Sequence, residues 1–303
     1  MAVVTNTAHE SNEESATMAR IGVQAMMLKQ SFAEIGPFET LRKVADIGYR
    51  VVEVSQIPMD EENVAELERA RGELGVEFAA LSAQLDGEKG ATPYPLAVDV
   101  ERAVADCRRL GSRMLRIGML PMGELRSETT VVDYAKRAEK AAQALEGEGI
   151  SLYYHNHHVE FAKMGGRHIL DILAAEAPSM GLEIDVHWVQ RGGLDPVRTL
   201  ARYAGRTAMV HLKDYRIGAL SEEGIIAHQT GDHAAFQRHF WDTVQFAEVG
   251  EGNLDFAAIV PASIEAGAQY LLVEQDQLYG RTVFEALRIS HDNLVALGFR
   301  HLF

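Results

Sequence analysis

The feature that most constrains this chain is a unit that recurs eight times. It is a helical pattern, then a glycine, then a short apolar run, then polar residues. Seven runs follow a glycine: "GYRVVEVSQ" from Gly48, "GVEFAALSAQ" from Gly75, "GSRMLRIGM" from Gly111, "GISLYYHNH" from Gly149, "GLEIDVHW" from Gly181, "GRTAMVHLKD" from Gly205 and "GAQYLLVEQD" from Gly267. An earlier run, "RIGVQAMM" from Arg20, completes the set. A glycine that ends a helix adopts the left-handed conformation that a side chain resists. The runs after it are short and mostly apolar, as parallel strands covered on both faces should be. The segments between them carry helical spacing. "GPFETLRKVADIG" places Phe38, Leu41, Val44 or Ala45, and Ile47 on one face. "LDPVRTLARYAG" offers Asp195 as N-cap, Pro196 at the first helical position and Gly205 as the stop.

Eight strand-helix units at roughly 30-residue spacing predict an α/β fold of the (β/α)8 barrel type. It would occupy residues 20–303 as a single domain. A doubly wound open sheet is the competing arrangement, but no glycine-rich phosphate loop follows a strand. One long interval, "RIGALSEEGIIAHQTGDHAAFQRHFWDTVQFAEVGEGNLDF", separates strands seven and eight. An insertion there would lie over the C-terminal face, where barrels carry their sites. Residues 1–19 are polar and lack the basic and apolar regions of a signal peptide, so they read as a flexible arm.

Charge narrows the partners. A net charge of -15 repels phosphate backbones and argues against nucleic acid. No stretch is long and apolar enough to span a membrane. The single cysteine, Cys107, permits no intramolecular disulfide, which suits a reducing, cytoplasmic setting. It lies in "ERAVADCRRLG", an amphipathic helical pattern, and reads as a packed side chain.

The polar residues that end the strands carry the chemistry. Strand five supplies His155 and His157, with His158 and Glu160 just beyond. Strand six supplies Asp185 and His187, strand seven His211, Lys213 and Asp214, and strand eight Glu274 and Asp276. Strand two supplies Glu53. A barrel brings these ends to one mouth. Converging carboxylates repel and raise one another's pKa, and a divalent cation resolves that conflict. A mixed Asp/Glu/His set suits Mn²⁺, Co²⁺, Fe²⁺ or Zn²⁺ more than Ca²⁺, and without cysteines a structural zinc site is disfavoured.

Alternation along strand five puts His155 and His157 on one side and Asn156 on the other. His187 shares its parity with Asp185 and faces either substrate or core. Trp188 and Gln190 follow strand six and would line an aromatic pocket. Lys213 would orient a substrate oxygen or the metal's surroundings, or else pair with Asp214 or Glu274. Glu251 in "GEGNLDF" closes over the mouth or begins a turn. His228, His233 and His239 are spaced like ligands, but their flanks read as exposed helix.

The set "YYHNHHVEF", "EIDVHW", "VHLKD", "VGEGNLDF" and "LLVEQD" resembles the xylose-isomerase-like superfamily of sugar isomerases, epimerases and inosose dehydratases, from Ile21 onward. The resemblance implies one divalent ion on strands five to eight, Mn²⁺ first, with Co²⁺, Fe²⁺, Zn²⁺ or Mg²⁺ as substitutes. It implies Glu160, Asp185, His211 and Glu274 as ligands, with His155 or His157 as the alternative to Glu160. A closer resemblance, through "LYYHNHHVEFAK", "EIDVHWVQRGG" and "YLLVEQDQLYGR", is to the catalytic α-subunit of bacterial C-glycoside deglycosidases. It implies a lyase that cleaves the carbon-carbon bond between a 3-oxo sugar and an aromatic aglycone, alongside a small β-subunit in a hetero-oligomer.

Either reading begins with loss of a proton next to a carbonyl, for which a histidine is the usual base. His155 is the first expectation for that role, His157 the next, and Lys213 an assisting group. His187, Trp188 and Glu251 are the expected substrate contacts. The alternative activities are sugar or keto-inositol isomerisation, epimerisation and dehydration. A non-catalytic sugar-binding subunit would leave the strand-end residues without a purpose.

Overall fold

The computed structural model describes residues 18–303. The expected arm over residues 1–19 therefore lies, apart from its last two residues, outside the described residues. Eight parallel strands form the centre: β1 (Arg20–Gln24), β2 (Val51–Val54), β3 (Glu77–Gln84), β4 (Met114–Ile117), β5 (Ser151–His155), β6 (Gly181–Asp185), β7 (Thr207–Leu212) and β8 (Tyr270–Val273). Each coincides with one of the eight runs. Neighbours in sequence pair in parallel from β1 through β8. β1 also pairs with β8, Ile21 opposite Leu271, and this contact closes the barrel.

Helices connect the strands on the outside. Pro37–Ile47 buries Leu41, Val44, Ala45 and Ile47 against the sheet. Pro196–Arg202 starts as its sequence requires: Asp195 accepts the Arg198 N–H at 2.7 Å and Pro196 stands in the first turn. The glycine rule has one exception. Gly111 caps its helix at φ 74°, in the left-handed region. Gly181 has no positive φ and is needed for space, because a Cβ there would overlap the Tyr153 ring.

Inside the barrel the strands contribute every second residue, in layers. The lowest layers are apolar, with Val51, Ala79, Met114, Met209 and Leu272 in one buried cluster beside Tyr153 and Tyr270. Two residues further along the strands stand Glu53, Arg116, His155, Glu183, His211 and Glu274, all buried. The interior thus changes from oil to charge within about 7 Å of strand rise.

The chain between β7 and β8 pairs Asp214–Ile217 with Val244–Ala247 in antiparallel fashion. Helices Glu222–Thr230 and His233–Trp241 lie between these two strands. Asp214 ties the far end of this segment to the barrel. Its carboxylate accepts the N–H groups of Gly250, Gly252 and Leu254 at 3.0, 3.0 and 3.2 Å. Cys107 is buried, and burial pushes its thiol up to about 12, so it is a packed and unreactive group.

Candidate metal centre

Four consecutive strands each send one side chain to a common point. His155 ends β5, Asp185 ends β6, His211 lies on β7 and Glu274 follows β8. One ligand atom from each lies within 4.8 Å of the others. His155 Nε2 is 3.4 Å from Asp185 Oδ2, and His211 Nδ1 is 2.6 Å from Glu274 Oε2. All four residues are buried.

The hydrogen bonds around this group decide which atoms remain free. His155 Nδ1 lies 3.0 Å from the Gly118 carbonyl, which can only accept, so Nδ1 carries the proton and Nε2 keeps its lone pair. His211 Nε2 lies 2.8 Å from Glu53 Oε2, which likewise leaves Nδ1 to face the cluster. His155 Nε2, Asp185 Oδ2, His211 Nδ1 and Glu274 Oε2 are then buried with no hydrogen bond outside the group, facing one another at distances down to the 2.6 Å between His211 and Glu274. A buried, unpaired polar atom costs about 1–3 kcal/mol, so four together need a reason. Two nitrogens and two carboxylate oxygens with free lone pairs fit a divalent transition ion.

The electrostatics agree. Burial alone would strip His211 of a proton, but Glu183, Glu274 and Glu53 around it hold its pKa well above the usual imidazole range. Burial opposes charge on Asp185 too, yet Lys213 and His155 keep it well below the carboxylate range. The pocket wants positive charge, which a proton on His211 supplies when no ion does. Lys213 adds its ammonium, 2.7 Å from Asp276 and 3.6 Å from Glu274. Burial works against that charge as well, but these carboxylates and Asp185 raise its pKa, so it stays an ammonium.

The remaining expected residues fall into two sets. His157 stands beside His155, their ring centroids 4.8 Å apart, and burial with His155 lowers it to about 3. His187 lies deeper, packed against Trp188, Tyr215 and Phe246, and burial lowers it to about 4. Trp188 also lies under Lys213, with Nζ 4.8 Å from the ring centre.

Glu160 is not brought to the cluster. It sits in the turn Val159–Phe161, where its carboxylate accepts the Tyr154 hydroxyl at 2.7 Å and the His157 N–H at 2.8 Å. Both oxygens are used in holding the end of β5, and His155 takes the fourth place. Glu251 is also elsewhere, exposed and 3.1 Å from Arg281. His228 and His239 are engaged within the segment between β7 and β8, by the Phe236 ring and the Ser221 hydroxyl. Among the described residues, no metal-type group includes His228, His233 or His239.

Two interior residues did not emerge from the strand ends, Arg116 and Glu183. Arg116 Nε donates to Glu53 Oε1 at 2.5 Å, and its Nη2 donates to Ser55 Oγ at 2.9 Å. Glu183 Oε1 is 3.1 Å from His211 Nε2. The signal was available: "MLRI" and "LEID" each place one charge inside an apolar run, at the parity of the strand-end residue. A cavity of about 250 Å³ opens beside the cluster, lined by Gln24, Ser55, Ser82, Arg116, His157 and Glu274 among others.

The fold and site together define a closed (β/α)8 barrel with a buried His/Asp/Glu cluster, which could hold a metal ion, at the C-terminal ends of its strands. The family model described as the xylose isomerase-like TIM barrel matches residues 41–279, and the chain belongs to that family. No curated protein matches the chain in sequence. Among solved structures, a sugar phosphate isomerase/epimerase from Parabacteroides distasonis superposes with a TM-score of 0.70 at 19% identity, covering 94% of this chain and 97% of that one. An L-ribulose 3-epimerase gives 0.63 at 17% identity, covering 94% and 96%. The IOLI protein with a binding zinc atom gives 0.62 at 15% identity, covering 94% and 99%. These likenesses are likenesses of fold. Among the described residues no helix is long and apolar enough to cross a membrane.

Proposed function

We propose that this chain is a divalent-metal-dependent enzyme that moves a proton at a carbon next to a carbonyl of a sugar-sized substrate. The observation that carries the reading is the set of four unpaired lone pairs on His155, Asp185, His211 and Glu274. These four residues would hold the ion. When bound, it would supply Lewis-acid polarisation of a carbonyl.

The other residues divide the work around it. His157 faces the cavity, is held neutral by its surroundings, and is the base. His155, the first expectation for that role, is assigned instead to the ion. Lys213 keeps its proton and directs it among carboxylates at the edge of the cluster. It would donate to a substrate oxygen and stabilise charge that builds there. Gln24, Ser55 and Ser82 also line the cavity and offer donors and acceptors to hydroxyl groups. The cavity's modest volume suits one sugar ring, since drug-sized ligands occupy about 300–1,000 Å³.

Isomerisation or epimerisation follows if the abstracted proton returns to a neighbouring atom or to the other face. Solved structures of similar fold include a sugar phosphate isomerase/epimerase and an L-ribulose 3-epimerase, which supports that outcome. The carbon-carbon lyase reading has its own support in the aromatic cluster of Trp188, Tyr215 and Phe246 around His187, with the Lys213 ammonium over two of the rings. There the sugar would lie in the polar cavity and an aromatic aglycone against that cluster. His157 would take the C2 proton, the C1–C2 double bond would form, and the C1–aryl bond would break, its electron pair leaving on the aryl carbon to be protonated. A small second subunit belongs to that reading. The exposed Ile225, Ile226, Phe240 and Trp241 offer it an apolar face.

The test uses the metal-loaded protein in D₂O with ketoses and a 3-oxo-C-glycoside. Deuterium incorporation next to the carbonyl, followed by magnetic resonance, supports the common step. Free aglycone, with or without an added second subunit, selects the lyase. A metal-loaded protein that exchanges no such proton on any of these substrates overturns the proposal.

A further inference from the structure

Below the four-residue cluster lies a second group of ligand-type atoms. Glu53, Glu183 and His211 each offer one atom within 4.8 Å of the others. They approach His211 from its far side: Nε2 is 2.8 Å from Glu53 and 3.1 Å from Glu183. Glu183 is fully buried, and neither of its carboxylate oxygens has a hydrogen-bond partner. By composition and spacing, these atoms could hold a second divalent ion, provided His211 gave up its Nε2 proton to solvent.

A cation already stands there, and it belongs to the protein. Arg116 enters from β4 and is 5% exposed. Its Nε lies 2.5 Å from Glu53 Oε1 and 3.5 Å from Glu183 Oε2, and its Nη2 is anchored on Ser55. Arginine does not give up its proton, so this charge is permanent. A divalent ion between the same carboxylates would sit a few ångströms from the guanidinium in a water-poor interior, where repulsion is strong.

We infer that Arg116 occupies the place of a second cation and thereby holds the centre to one metal ion per chain. The inference rests on the reading that the upper cluster binds metal. Arg116 is a positioning residue. It balances Glu53, which in turn fixes the proton of His211 on Nε2 and leaves Nδ1 for the upper cluster. Without the guanidinium, Glu53 and Glu183 would be two buried carboxylates short of a counter-charge, a state that a second ion relieves.

The experiment counts metal. The full chain is stripped with chelator, reloaded with Mn²⁺ or Zn²⁺, desalted and analysed by mass spectrometry of the metal, and anomalous scattering locates the ions. Wild type should hold one ion per chain and Arg116→Met two, the second between Glu53 and Glu183. Arg116→Lys restores the charge and should return to one, as should Arg116→Met combined with Glu183→Gln. If Arg116→Met does not fold, Arg116→Gln keeps a donor toward Glu53 without the charge and should also hold two. One ion in a folded, uncharged variant overturns the inference and leaves the metal reading intact, as does a second ion in the wild type. No ion in the wild type removes the underlying reading and the inference with it.

Discussion

Strands β1–β4 and strands β5–β8 both end in polar side chains, yet the two halves of the mouth satisfy them differently. On the first half the polar atoms serve one another. Gln24 accepts the Met26 N–H at 2.5 Å, Ser82 donates to the Val54 carbonyl at 3.1 Å, and Arg116 spans Glu53 and Ser55. On the second half four neighbouring strands each keep at least one buried atom without a hydrogen bond. Folded chains pair nearly all buried polar atoms, because leaving them unpaired costs stability. The unpaired half therefore marks where a ligand belongs, and the paired half is a wall that holds its shape without one.

The largest effect should come from breaking the unpaired half. Glu274→Gln should weaken metal binding by more than about 1,000-fold, beyond the 10–100-fold lost with outer partners, and calorimetric titration measures it. An unchanged affinity would remove Glu274 from the ligand set. His157→Asn should leave metal affinity within a few-fold but lower turnover by about 10²–10⁴, the usual contribution of a positioned base. Equal turnover in wild type and variant would move the base to another residue, with His187 next.

Crossing from the paired half, Glu53→Gln should cost about 10–100-fold in metal affinity, because it loosens the proton and orientation of His211. An affinity equal to wild type would show that the two halves are not coupled. Glu160→Gln should have the smallest effect on the ion. Metal affinity should stay at the wild-type value while stability falls by about 1–3 kcal/mol, since an amide cannot accept from both Tyr154 and His157 as the carboxylate does. Thermal unfolding with and without metal separates the two. A large affinity loss there would return Glu160 to the ligands.

Much of this was legible in the residues. The eight runs announced eight strands because burial on both faces demands continuous apolar residues, and "YLLV" or "TAMVHL" offers no other way to be buried. Asp185, His211 and Glu274 were legible because a barrel must bring strand ends together. Glu160 is placed away from the cluster for the opposite reason: it is five residues past the last strand residue, His155, where alternation no longer dictates direction. The turn Val159–Phe161 carries it back toward Tyr154. Arg116 and Glu183 were overlooked because they lie inside strands, where the apolar neighbours dominate the pattern.

By itself the sequence determined the strand count, the alternation of strand and helix that calls for parallel order, and the strand ends that could bear a cation, since each follows from local periodicity and chain connectivity. Only the tertiary structure decided which nitrogen of His155 and His211 faces the cluster. Those choices depend on the Gly118 carbonyl and on Glu53, which are 37 and 158 residues away in the chain. A lone pair is freed or consumed by whichever group lies within about 3 Å of it, and that neighbour is set by the closing of the barrel.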